Sequence, residues 1–328
     1  MDGPIQPQRR LSRWSRDSVL DGSGRPTVAK LTDRDIEVFK LLARYPYLQL
    51  DDIHAFVGGS LKGLSHHLNI LSRKPNLYIN RPHQQRQCAD ANYRPLIYEL
   101  DEHGSEVLRD RGLQFLPKKS RRNFAHELMV CRIMASIELA TLRSRQIRLI
   151  TWNEILANPR TPAALRDAAR PTSIPVSFTL GGEPHTTEII ADGNPFGIER
   201  TGADGGRSYI FCPGIEADTG SEPLQSHDFE RSSIFKKFVA YRAISEQRIH
   251  ASHFGFPNFF VPIITTTEAR MRSMMQFLER ITADKTSKMF LFKTFPAFTA
   301  FVKPPAPTGH MLSEPWHRVG VAPLDFTR

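Results

Sequence analysis

Apolar positions recur at helical spacing in the first part of the chain, and the pattern predicts a compact α+β module over residues 31–115. Thr32 precedes Asp33 and Asp35, so a helix opens there with a capping hydroxyl and early acids against its dipole. Ile36, Phe39, Leu41, Leu42 and Tyr45 give it one apolar face, and Pro46 stops it. Residues 50–57 read as a short second helix ended by Gly58 and Gly59. Ser60 then caps a third helix through Lys74, with Leu61, Leu64, Leu68 and Leu71 on one stripe. Lys62, Ser65, His66, Asn69 and Arg73 fall on its other face. Two strands, 77–80 and 96–100, flank a polar loop carrying Arg81, Arg86 and Arg94, and a helix runs from Asp101 to about Gly112.

This order is that of a winged helix-turn-helix, whose third helix would enter the major groove of double-stranded DNA with the basic loop as wing. The alternative is a helix-turn-helix that serves protein contacts. His66 and His67 have no metal-ligand partner at a workable spacing, so one would meet phosphate or solvent and the other would pack.

Residues 116–147 read as a basic connecting helix, opened by Lys118, Lys119, Arg121 and Arg122 and helical from Asn123 to about Arg145. His126-Glu127 lacks a second histidine four residues on, which excludes the HExxH zinc motif and leaves His126 a core or capping role. From Arg148 the pattern alternates between strands (149–152, 176–178, 188–191, 209–216, 259–264, 289–292) and helices (229–247, 267–282). A mixed sheet flanked by helices is the expectation for 148–300. Residues 301–328 read as a Pro-rich tail that packs on a neighbour or stays loose, with Trp316 in polar surroundings.

Charge changes this picture by its location. The net charge of +10 is concentrated, with six Lys/Arg against three Asp/Glu in residues 1–30 and eight against two in residues 116–150. Clustered positive charge favours polyanions, because neutralising phosphates releases counterions. Residues 1–30 have no periodicity and read as a flexible basic arm for a DNA backbone. No apolar run reaches the ~18 residues of a membrane span, the N-terminus lacks a secretory core, and three widely spaced cysteines suit a reducing cytoplasm. Neither a phosphate-binding GxxxxGK[ST] loop nor a GxSxG elbow is present.

The candidate chemistry lies between Thr187 and Tyr241. An apolar strand ends in Asp192-Gly193, and a second ends in Glu216 and Asp218, which share a face because strands have a period of two. If the strands pair, three carboxylates share a pocket that suits Mg²⁺. Lys236 and Lys237 follow on a helix that also bears Tyr241. Both acidic segments can equally be read as strand-ending turns. Tyrosine-based strand transfer also stays open, since Tyr209 and Tyr241 flank the acids.

Leu31-Thr32-Asp33-Arg34-Asp35, Tyr98-Glu99-Leu100-Asp101-Glu102-His103-Gly104, Ala191-Asp192-Gly193, Ile215-Glu216-Ala217-Asp218-Thr219-Gly220, and Lys237 with Tyr241 stand in an order that resembles the replication-relaxation family of plasmid and mobile-element proteins. The resemblance covers about residues 30–285. It implies a winged helix followed by a domain similar to the PD-(D/E)XK restriction-endonuclease fold. In that wider class an Asp and a Glu hold Mg²⁺, and a lysine two residues after the Glu polarises water. Asp192 and Glu216 match the acids, but Asp218 stands where the lysine belongs, so Lys236 or Lys237 would have to supply the cation. Asp218 could instead be a third ligand. The expectation is a DNA-binding protein of replication or mobilisation, cleaving DNA with Mg²⁺, with a replication or mobilisation complex and a second copy of itself (a homodimer) as candidate partners. The alternatives are a non-catalytic regulator that dimerises or recruits a partner, and a structural component of an assembly.

Overall fold

In the computed structural model, residues 12–88, 90–113, 123–225, 233–300 and 302–327 are described. They fall into two compact units, 1–122 with 301–307, and 123–300 with 308–328.

The first unit runs α1 (Asp33–Arg44), β1 (Leu48–Gln49), α2 (Leu50–Val57), α3 (Leu61–Leu71), β2 (Ile79–Asn80), β3 (Ile97–Leu100) and α4 (Glu102–Asp110). Thr32 and Asp35 form a reciprocal capping box, and Ser60 accepts from the Gly63 N–H, so both helix starts lie where the hydroxyls predict. Leu64, Leu68 and Leu71 are buried, as are Phe39, Leu42, Ile53 and Tyr98, whereas Leu61 is exposed. β3 is the centre of an antiparallel sheet in the order β1-β3-β2. β1 is an addition to the expected elements, for its two residues are too few to show periodicity. Gly104 is obligatory for packing, since a Cβ there would lie 2.3 Å from the Tyr78 carbonyl oxygen.

Residues 12–29 are not a free arm. They lie on this unit, with Leu20 bridging Pro26 and Asn76 holding the Ala29 N–H and the Thr27 carbonyl. Backbone polar groups bonded to the folded unit outweigh the low hydrophobicity that suggested disorder.

The second unit comprises α5 (Phe124–Leu142), β4 (Ile147–Ile150), α6 (Trp152–Ala157), α7 (Ala163–Arg166), β5 (Ser173–Leu180), β6 (Glu183–Ile190), β7 (Phe196–Thr201), β8 (Arg207–Cys212), β9 (Glu216–Asp218), α8 (Ile234–Glu246), α9 (Ile249–Phe254), β10 (Val261–Thr265), α10 (Glu268–Ile281), β11 (Ser287–Thr294), α11 (His310–Ser313) and β12 (His317–Val319). Its strands form a mixed sheet β12-β11-β10-β9, an antiparallel sheet β4-β7-β8 and the hairpin β5-β6. β9, β10 and β11 are parallel neighbours. Phe290, Phe292 and Ile263 face one core with α8 and α10, while Leu291, Ile264 and Ala217 face a second core with α5 and α11. Burial on both faces explains why these strands read as continuous apolar runs.

Two expectations are corrected here. The run 209–216 is not one strand, because Pro213-Gly214 breaks it into β8 and β9, which join different sheets. The C-terminal residues are also not a loose tail. β12 pairs with β11, and Trp316 and Phe326 are buried against each other in the second core. Trp316 donates its indole N–H to the Met311 carbonyl at 2.8 Å, which removes the polar cost of burying it. No helix among the described residues is long and apolar enough to cross a membrane.

Candidate functional site

The chain brings Asp192 and Glu216 together without pairing the strands that precede them. β6, which leads to Asp192, pairs with β5 along its whole length. Gly214 makes the approach instead. Its φ of 144° is in a region that favours glycine, and a Cβ there would lie 2.5 Å from the Ala191 Cβ and 2.7 Å from the Gly193 carbonyl. The two segments therefore run in contact. The Asp192 N–H donates to the Ile215 carbonyl at 2.9 Å, and the Asp192 carboxylate accepts the Ala217 N–H at 2.8 Å.

Glu216, 4% exposed, is gripped from α8. Lys237 and Tyr241 stand four residues apart, hence on one face of that helix. The Tyr241 hydroxyl donates to one Glu216 oxygen at 2.6 Å, and the Lys237 ammonium lies 3.0 Å from the other. Lys237 also reaches Glu222 at 2.9 Å. Lys236, half-buried, sits a further 100° or so round the helix. His126, in the first turn of α5, directs Nε2 at the Asp192 carboxylate at 3.3 Å and at the Ala217 carbonyl at 3.1 Å.

The electrostatics follow from burial opposed by pairing. Burial pushes Glu216 above its ordinary value, and the neighbouring Asp192 charge adds to this against the pull of Lys237. Burial opposes the charge of Lys237 too, but Glu216, Glu222 and Asp192 together hold the ammonium well above its usual range. Asp192 is held low despite burial by the His126 hydrogen bond and the Lys237 charge. The same hydrogen bond raises His126. Burial and Glu216 keep the Tyr241 phenol protonated. The side chains of Asp192, Lys237 and His126 each keep about a quarter or less of their exposure, 22, 22 and 24%, so the cluster opens to solvent on that side.

Asp218 is not part of this cluster. It shares a face with Glu216, as strand period requires, but meets a different helix. Its carboxylate accepts from Thr265 at 2.9 Å and from Arg270 Nε of α10 at 3.0 Å, so its counter-charge is Arg270 rather than Lys237. Tyr209 is exposed and bonds to Glu199, away from the acids. Among the described residues, no group of three His, Cys, Asp or Glu side chains is gathered to hold a metal ion.

In the first unit, Lys62 and His66 are exposed on α3, with Ser65 and Asn69 half-buried beside them. They line a groove of about 550 Å³ together with Arg13, Arg81, Leu50, Leu61 and Leu96. Arg73, Arg81 and Arg94 do not present their charge to solvent, being 3, 5 and 8% exposed. Arg73 donates to Asn69 and to the Ser12 carbonyl at 2.9 Å, and Arg81 to the carbonyls of Arg13 and Ser15. Burial pushes Arg81 down to about 10. Arg86 is exposed and lies over the Trp14 ring. Lys118, Lys119, Arg121 and Arg122 lie outside the described residues.

His126, Glu222 and the arm carbonyls are the participants that sequence patterns do not reveal. None belongs to a motif, and their partners are distant in the chain.

The profile of the replication-relaxation family matches residues 49–258, from β1 through α9. Neither a curated protein nor a solved structure matches the chain.

Proposed function

The chain belongs to the replication-relaxation family, whose description points to replication or relaxation of plasmid and mobile-element DNA, and from that premise we propose a DNA-binding protein with a Mg²⁺-dependent nuclease-like site. The first unit is read as a winged helix, with α3 as the helix that enters the major groove and residues 81–96 as its wing. Lys62, Ser65, His66 and Asn69 are its outward-facing DNA contacts, Arg86 adds charge from the wing, and affinity should fall steeply with salt.

The second unit is read as nuclease-like, and the observation that carries this is the lysine, 3.0 Å from Glu216 although it comes from α8 rather than from β9. Asp192 and Glu216 offer hard oxygens on two segments that run in contact at Gly214, and Mg²⁺ needs only one or two carboxylates when water and substrate phosphate complete its shell. The metal would be held by these two residues and would neutralise charge developing on the phosphate. Lys237 orients Glu216 and adds positive charge beside it. Tyr241 fixes the second Glu216 oxygen, and His126 fixes Asp192. Hydrolysis would put water on phosphorus and expel a sugar hydroxyl.

A nicking assay on supercoiled DNA, with and without Mg²⁺, tests the reading. Wild type should nick only with metal, and Asp192→Asn should lose nicking while melting like wild type. Equal nicking by both, or by neither, removes the catalytic half. The regulator reading draws on Glu222, which competes for Lys237, and predicts no Mg²⁺ or Mn²⁺ binding by calorimetry.

A further inference from the structure

The residues preceding α1 make an unusual set of contacts within the first unit. Arg73 and Arg81 donate to the carbonyls of Ser12, Arg13 and Ser15, and Arg86 donates to that of Trp14. In return Arg13 donates to the carbonyls of Asn92 and Arg94, and the Trp14 indole N–H donates to the Asn92 side chain at 3.1 Å. The Trp14 ring carries the Arg13 guanidinium at 4.9 Å and that of Arg86 at 5.4 Å. The Lys74 N–H closes the circuit on the Arg16 carbonyl at 2.9 Å, and Arg16 pairs with Asp101 at 2.7 Å. One short segment is thereby tied to the end of α3, to both arms of the 81–96 loop and to the start of α4.

Within the loop, Gln85 is 3% exposed, donates to the Ile97 carbonyl at 2.9 Å and accepts the Ile97 N–H at 3.0 Å. β2 and β3 add only two paired positions, and the 92–94 arm is met by Arg13 and Trp14. The groove along α3 stays open with the segment in place: Lys62 and His66 are exposed, and Arg13 is among its lining residues. No carboxylate lines it. The segment therefore contributes to the groove rather than covering it. Leu50, Leu61 and Leu96 share the lining, and the cations and polar groups beside them suit duplex DNA.

We infer that residues 12–17 are a clasp that holds the 81–96 loop in its DNA-binding position, so that DNA affinity depends on Trp14, which positions the interface rather than touching the duplex, and on Arg13, which links the loop to the groove. The inference rests on the reading of α3 and this loop as the DNA interface. It differs from a basic arm lying on phosphates, because Arg13 spends donors on backbone carbonyls and Arg16 pairs with the Asp101 carboxylate.

The test uses the full chain, a fluorescent mixed-sequence duplex at low salt, and trypsin cleavage at Arg86 and Arg94 as a measure of loop release. Trp14→Ala should weaken binding about tenfold and speed cleavage in the loop. Trp14→Phe, which keeps a ring between the two guanidinium groups, should recover most of both. Asn92→Ala, at an exposed position, should weaken binding about threefold and covers the case in which Trp14→Ala does not fold. Faster cleavage with unchanged affinity overturns the inference, and so does unchanged cleavage in folded Trp14→Ala. Lys62→Ala/His66→Ala separates the two levels. If it weakens binding while the clasp variants do not, the clasp falls and the α3 reading stands. If it leaves binding unchanged, the interface reading falls and takes the clasp with it.

Discussion

The buried charges of the first unit and those of the second are satisfied by different means. Arg73 and Arg81 are met by backbone carbonyls, which bind the guanidinium without cancelling its charge. Glu216 and Asp218 are met by Lys237 and Arg270, which do cancel theirs. The remainder has opposite sign in the two places. The first unit retains positive charge beside α3. In the second, Asp192, Glu216 and Glu222 face one lysine and one histidine, leaving an excess of carboxylate at a solvent-open edge. The charge balance favours an anion beside α3 and a cation beside Asp192, which is what the proposed function calls for.

Removing the Lys237 charge should have the largest effect. Lys237→Met leaves buried Glu216 without its counter-charge, and should cost about 3–5 kcal/mol in urea unfolding of the second unit. The double variant with Glu216→Gln should recover most of the loss, because the penalty belongs to the orphaned charge. Tyr241→Phe keeps the ion pair and removes one bond to a charged group, for about 1.5–3 kcal/mol by the same measurement. Arg81→Met should cost less, about 1–2 kcal/mol, since water can take over carbonyls on an exposed segment. Arg81→Met and Lys237→Met losing equal stability would break the contrast between the two kinds of pairing.

The smallest effect is confined to acid. Burial works against the Asp35 charge, but His67 at 2.7 Å and both Thr32 donors hold its carboxylate below its ordinary value. The unfolded chain then takes up the proton first as pH falls. The stability from this group is present above the unfolded value of about 3.9 and is lost as pH drops through the folded one. Asp35→Asn should flatten that acid limb of the first unit's stability and leave the second unit's unchanged, as read by denaturant midpoints across pH.

Much of this was legible in the sequence where the signal is local. The leucine stripe of α3 and its Ser60 cap, the capping box at Thr32 and the Lys237/Tyr241 spacing all place side chains through one element's own geometry. Asp192 and Glu216 were legible as acids at the ends of apolar runs, although the contact between them depends on Gly214 and not on paired strands. The misplacements come from partners remote in sequence. Asp218 is drawn away by Arg270, and Arg81 is drawn inward by carbonyls of residues that carry no pattern at all. Trp316 looked stranded because its neighbours are polar, yet the Met311 carbonyl and the Phe326 ring make burial favourable.

The placement of β12 sets a schedule for biosynthesis. Trp316 and Phe326 complete a core that also contains Ile133 and Ile137, so a chain still held in the ribosomal tunnel short of these residues keeps that hydrophobic face open. All the elements of the first unit leave the ribosome long before then. The nascent protein thus has a stage at which α1 to α4 have emerged while the unit that bears Asp192 and Glu216 still lacks part of its core.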